Sequence, residues 1–171
     1  MLIAMAAGNN TGKGAILFYL LTYALTSLGA FGVTALVATR DRTNDELSDY
    51  AGLSKRQPLL AFLMSIFLLS LGGFPPTAGF IGKWYLFSSA VSAGSFALAI
   101  IGVLTSVVSV FFYLRVVVMM YMAEREGEAV QVRIGGVGMA ALAVSIAAIF
   151  YLGVLPTKIL DLAASSISTI F

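Results

Sequence analysis

The stretch GGFPPTAGFIGKWYLF, residues 72–87, sets two prolines beside paired glycines and follows them with one lysine among apolar and aromatic neighbours. The prolines remove two backbone donors, and Phe74, ahead of Pro75, is pushed out of the helical region. Pro76 is acceptable as the first residue of a new helix. The stretch therefore predicts a discontinuous helix, broken at Gly73–Pro76. Lys83 then lies about 10 Å beyond Pro76 at 1.5 Å per residue. Irregular backbone at membrane depth is tolerated where it lines a water-filled cavity or is buried in protein.

Outward from this stretch, Lys83 is the only charge between Gln57 and Leu114. Such a run is close to three crossings of about 20 residues each. It divides at the double proline and at SAGS (92–95), giving spans near 58–74, 76–93 and 96–122. Residues 15–38 carry no charge and make another span, and residues 134–155 make a fifth. The chain is 60% hydrophobic and 11% charged, whereas a soluble domain is about a quarter charged. The expectation is an all-α, polytopic transmembrane helix bundle of about five spans, forming a single membrane domain over residues 1–171. The opening MLIAMAAGNNTGKG is too short to span and has no cleavage-site pattern. It is expected to be an N-terminal stub, the end of a helix that continued upstream.

Two further segments carry helix signals. In the extramembrane loop 39–57, Thr43 and Glu46 stand at capping-box spacing before Leu47, Tyr50 and Ala51, with Gly52 as a stop. This predicts a short surface helix. The tail 157–171 places Ile159, Leu160, Ala163, Ile167, Ile170 and Phe171 on one helical face, as an interfacial amphipathic helix does.

Composition also excludes. Without cysteine or histidine there is no disulfide framework, no zinc or haem site built on those ligands, and no Cys or His nucleophile. A net charge of +2 gives no argument for nucleic acid as a partner. No P-loop, dinucleotide fingerprint or hydrolytic triad is present. No cofactor or metal is expected on this chain.

Lys83 is the leading candidate for chemistry. An ionisable residue inside a membrane marks an ion or proton path by default, and burial disfavours its charged form. The alternatives are snorkelling to the interface or a structural ion pair, whose acid would have to come from outside this chain. Gly79 and Gly82 fit close helix packing and leave space beside the lysine. Hydroxyls recur every three to four residues at Tyr19, Thr22, Tyr23, Thr26 and Ser27, and again at Thr105, Ser106, Ser109 and Tyr113. Such stripes either order water toward Lys83 or hydrogen-bond between helices. Arg115 suits snorkelling or a channel mouth equally.

The motif SLGGFPPTAGFIGKWYLF (70–87) resembles the lysine-bearing broken helix of the antiporter-like subunits of respiratory complex I. LFYLLTYALTSLGAFGV (17–33), FFYLRVVVMMYM (111–122) and the tail resemble the N-type branch in particular. The resemblance runs almost the length of the chain and implies the C-terminal third of a fourteen-helix, inverted-repeat, proton-translocating subunit of NADH:quinone oxidoreductase. Lys83 takes the position of that family's lysine on the twelfth helix, as a proton relay. The family's glutamate on helix five and its lysines on helices seven and eight have no counterpart here, so the chain would carry half of a channel and no redox site. NADH, FMN, iron–sulfur clusters and quinone are expected on other subunits. The implied partners are adjacent antiporter-like membrane subunits, the lipid bilayer and protons. The implied location is a bacterial inner membrane rather than a mitochondrial inner or thylakoid membrane.

The resemblance, taken with five spans, sets loop 39–57 and the tail outside and residues 123–133 inside. The positive-inside count pulls the other way, with Arg40, Arg42, Lys55 and Arg56 against Lys13, Arg125 and Arg133. Two other readings stay open. One is a subunit of a multi-subunit cation/proton antiporter or membrane-bound hydrogenase, which shares the helix pattern and central lysine. The other is a structural scaffold, which tolerates loss of Lys83.

Overall fold

The computed structural model describes residues 1–8, 10–37, 46–123 and 135–170, with side chains in the last helix as far as Ser166. Among the described residues the chain is all-helical. A short α1 (Leu2–Ala7) is stopped by Gly8, whose φ of 65° is left-handed. Three helices are long and apolar enough to cross a membrane: α2 (Asn10–Val37), α6 (Phe96–Met122) and α7 (Gly136–Val154). A 3₁₀ turn (Leu47–Tyr50) and a one-turn α3 (Leu53–Arg56) precede α4 (Pro58–Gly72) and α5 (Ala78–Ser92), and α8 (Thr157–Ile170) follows α7.

The five-span expectation is corrected by the lengths and register of α4 and α5. Each has 15 residues, which is about 22 Å, short of a hydrocarbon core of about 30 Å. Both pack along α2, and their partners on it run in one order. Phe67 sits against Gly29, and Ser70 against Thr26. Beyond the break, Gly82 meets Tyr19 and Thr22, and Leu86 clusters with Ala15. The partners on α2 thus retreat steadily as α4 and α5 advance. The two short helices continue in one direction, antiparallel to α2, and together make a single traverse. Among the described residues the chain therefore traverses the bundle four times: α2, the α4–α5 pair, α6 and α7.

The break has the causes expected, with one shift. Gly73 adopts φ 85°. Its N–H bonds the Ser70 carbonyl while the Phe74 N–H bonds the Leu69 carbonyl, the two-bond Schellman ending. The Pro75–Pro76 peptide is cis. The restart comes later than Pro76: Thr77 is the extended N-cap residue and Ala78 begins α5. A Cβ at Gly79 would fall on the Ser70 carbonyl, so the two halves of the helix meet through this glycine.

Four crossings rearrange the ends. The Gly52 N–H donates to the Met119 carbonyl at 3.3 Å, which joins the segment before α4 to the end of α6. α8 packs against α2, with Gly14 facing the Ala164 backbone. The segment 46–57 and the end of α6 therefore share one face, and the tail lies at the other. Residues 46–57 thus do not lie with the tail, contrary to the expectation for the 39–57 loop, while 39–45 and 124–133 lie outside the described residues.

Thr43 of the expected capping box lies outside the described residues. The turn is instead begun by Glu46, whose N–H donates to Asp49 Oδ2 at 3.1 Å. The turn packs inward through Tyr50, which is buried beside Leu53 of α3. Arg56 fastens it by donating from Nη2 to the Asp49 and Ala51 carbonyls. The core is built by Phe18, Val33, Leu60, Phe67, Ala78, Met120 and Ile149, from every crossing, with α5 contributing only its first turn. The tail is helical, and of its expected apolar face Ile159 and Leu160 pack on the core and Ala163 is buried. The side chains of Ile167, Ile170 and Phe171 lie outside the described residues.

Candidate functional site

The helix break creates an acceptor. In a continuous helix the carbonyl of Gly72 would receive the amide of residue 76, but that residue is Pro76 and has no N–H. A buried orphan carbonyl is costly. Lys83 satisfies it, because its Nζ donates to the Gly72 carbonyl at 2.8 Å. The side chain reaches back along the break, passing the bare Cα of Gly73. A second bond, also 2.8 Å, runs from Nζ to Ser106 Oγ on α6. Lys83 is half-buried, and the two bonds pin its ammonium between the break and the neighbouring helix.

A cavity of about 210 Å³ opens beside this nitrogen. Lys83, Ser106 and the hydroxyl side chains Tyr19, Tyr23, Thr105, Ser109 and Tyr113 line it. It is large enough to hold several waters at roughly 30 Å³ each. Tyr19 and Tyr23 of the first hydroxyl stripe and all four members of the second thus reach the cavity beside the lysine. On the other side of Lys83 and Ser106 is an apolar groove of about 560 Å³, walled by Phe80, Trp84, Phe87, Val103, Val107 and Val110.

The individual hydroxyls divide into two kinds. Thr22, Thr26, Thr105 and Ser109 donate to carbonyls of their own helices, at Tyr19, Thr22, Gly102 and Thr105 respectively. Thr26 also lies 3.3 Å from Ser70 Oγ across the α2–α4 contact, with both side chains buried. Thr22 and Thr26 border Lys83 only through a narrow crevice of about 10 Å³ between α2 and the break. They are packed hydroxyls, whereas Ser106 bonds the lysine directly. Ser27 and Arg115 are not brought to the cavity, and Arg115 is exposed on α6. The Gly72 carbonyl was missed in the sequence. Its signal is a proline four residues after it.

The comparisons with known proteins agree on one family. Residues 1–109 match the family model described as NADH:quinone oxidoreductase/Mrp antiporter, TM. The chain is 47% identical over 169 residues to the NADH-quinone oxidoreductase subunit N of Trichlorobacter lovleyi, covering 99% of this chain and 35% of that protein. It is 39% identical to the subunit N of Moorella thermoacetica, covering 100% of this chain and 36% of that protein. The chain thus spans little more than a third of the length of these curated relatives. Among solved structures, a chain of respiratory complex I from Thermus thermophilus with bound aureothin superposes with a TM-score of 0.77 at 32% identity, over 92% of this chain and 36% of that one. A chain of the Mrp complex from a Dietzia species superposes with a TM-score of 0.80 at 21% identity, over 94% of this chain and 38% of that one, a likeness of fold. The chain is an integral membrane protein and belongs to the NADH:quinone oxidoreductase/Mrp antiporter transmembrane family.

Proposed function

We propose that this chain carries half of a proton-translocating channel in a membrane subunit of a bacterial NADH:quinone oxidoreductase, with Lys83 as the proton relay. The observation that supports this most is the position of Lys83 Nζ, between an orphaned backbone carbonyl and a hydroxyl at the wall of a cavity large enough for water. An ammonium there exchanges its proton with cavity water, and the two fixed acceptors return the nitrogen to one place. Tyr19, Tyr23, Ser109 and Tyr113 border the water's path. Redox chemistry with NADH, FMN, iron–sulfur clusters and quinone would lie on other subunits, and neighbouring antiporter-like subunits would cover the faces that α5 and α6 leave bare. The tail, α8, would lie along the membrane surface as an interfacial helix.

Orientation follows from the four crossings. The segments connecting at the α6 end hold, in sequence, Arg40, Arg42, Lys55, Arg56, Arg125 and Arg133, against Lys13 and Lys158 at the tail end. By the positive-inside rule the former end is cytoplasmic and the tail is outside.

The fold likeness to the Mrp complex supports a second reading, a subunit of a cation/proton antiporter. Both readings use Lys83, and the scaffold reading does not. The test is Lys83→Arg in the complete complex. Guanidinium does not release its proton in proteins, so redox-driven translocation should fall sharply at undiminished assembly. Full translocation by Lys83→Arg would contradict the relay.

A further inference from the structure

The two partners of Lys83 Nζ differ in what they can do. A carbonyl oxygen only accepts, whereas a serine hydroxyl both accepts and donates. We infer that Ser106 is a positioning residue of the relay, whose hydroxyl reverses its direction with the charge of Lys83 and so holds the nitrogen at the cavity in both states. The inference rests on the relay reading above and goes further by assigning the second half of the cycle.

In the charged state the ammonium donates one N–H to Gly72 O and one to Ser106 Oγ, each at 2.8 Å. Its third N–H remains for the cavity that Lys83 and Ser106 both line. On release, that N–H bond breaks, its electron pair stays on nitrogen, and the proton passes to a cavity water, giving hydronium. The neutral amine now has a lone pair that needs a donor, and the Gly72 carbonyl has none to give. Rotation about the Cε–Nζ bond brings the lone pair round to Ser106, which turns its O–H onto it, while one amine N–H faces Gly72 O and the other the cavity. Reprotonation runs the same steps backward.

The other hydroxyls of this α6 face are less able to do this. Thr105 donates to the Gly102 carbonyl at 2.9 Å and Ser109 to the Thr105 carbonyl at 3.0 Å. Their protons are held by the helix backbone. Ser106 is the hydroxyl within hydrogen-bond distance of Nζ, one side of it facing the polar cavity and the other the apolar groove.

The test compares Ser106→Thr with Ser106→Val in the full-length subunit within the assembled complex. Threonine and valine have nearly the same shape and differ by a hydroxyl for a methyl. The readout is the initial rate of redox-driven proton translocation in reconstituted vesicles, at matched amounts of complex. Ser106→Thr should retain most of the wild-type rate. Ser106→Val should lose about tenfold, the scale of one hydrogen bond to a charged group. Equal rates for the two would overturn the inference, as would wild-type pumping by the smaller Ser106→Ala. Lys83→Met separates the two levels. Normal pumping by Lys83→Met removes the relay reading itself. Lost pumping by Lys83→Met with equal threonine and valine rates removes only the role of Ser106.

Discussion

The Gly52 amide donates to the Met119 carbonyl at 3.3 Å, tying the turn ahead of α4 to the last turn of α6. One backbone bond thereby fixes which chain ends lie together. It requires an even number of crossings between Gly52 and Met119, which is met when α4 and α5 count as one traverse and α6 as the other.

The first prediction is of sidedness. The chain has no cysteine of its own, so single cysteines report cleanly. Cysteines at Glu46 and at Glu126, in the segment between α6 and α7, should label from the same membrane face. One at Ser165 should label from the opposite face. Labelling of the Glu46 and Ser165 positions from one side would restore five crossings.

A second prediction concerns the prolines. Pro75→Ala with Pro76→Ala returns two amide donors for the Leu71 and Gly72 carbonyls. A helix continued through the break would then occupy the carbonyl that Lys83 now uses. Proton translocation should fall several-fold while the complex still assembles. Unchanged translocation by the double variant would show that the orphan carbonyl is not needed.

The third prediction is one of packing. A Cβ at Gly79 meets the Ser70 carbonyl, which is backbone and cannot swing away. Gly79→Ala should destabilise by about 1–3 kcal/mol or more, the range for overpacked cores. It should lower the amount of folded protein in detergent. Thr26→Val, which removes a hydroxyl that Ser70 faces at 3.3 Å, should cost only about 0.6 kcal/mol, the mean for interhelical bonds in membranes. Thermal unfolding in detergent ranks the two, and a Thr26→Val variant less stable than Gly79→Ala would contradict the packing described.

Much of this was legible in sequence because lipid leaves few options. Backbone groups must be satisfied internally, so uncharged stretches become helices, and the boundaries of α2, α6 and α7 fall within a few residues of expectation except at the start of α2. The Pro75–Pro76 break and the lone charge at Lys83 were equally plain. The crossing count was not. A 58-residue apolar run holds three crossings by length, but length does not distinguish a hairpin from a helix that stops and continues in the same direction. That is decided by what Ser70 and Gly82 touch on α2. Hydroxyl spacing likewise could not separate Ser106, which bonds Lys83, from Thr105, whose proton goes to its own helix. Periodicity assigns residues to a face and leaves the rotamer open.

The claim on which the account turns is that Lys83 changes charge during the cycle. Lys83→Met keeps most of the volume and removes the proton site, and losing a desolvated charge need not weaken the bundle. The deciding measurement is protons translocated per electron in vesicles containing the complete complex, with assembled complex quantified alongside. The account predicts a clear drop in that ratio for Lys83→Met at wild-type assembly. A Lys83→Met complex that assembles equally and translocates as many protons per electron as wild type would contradict it.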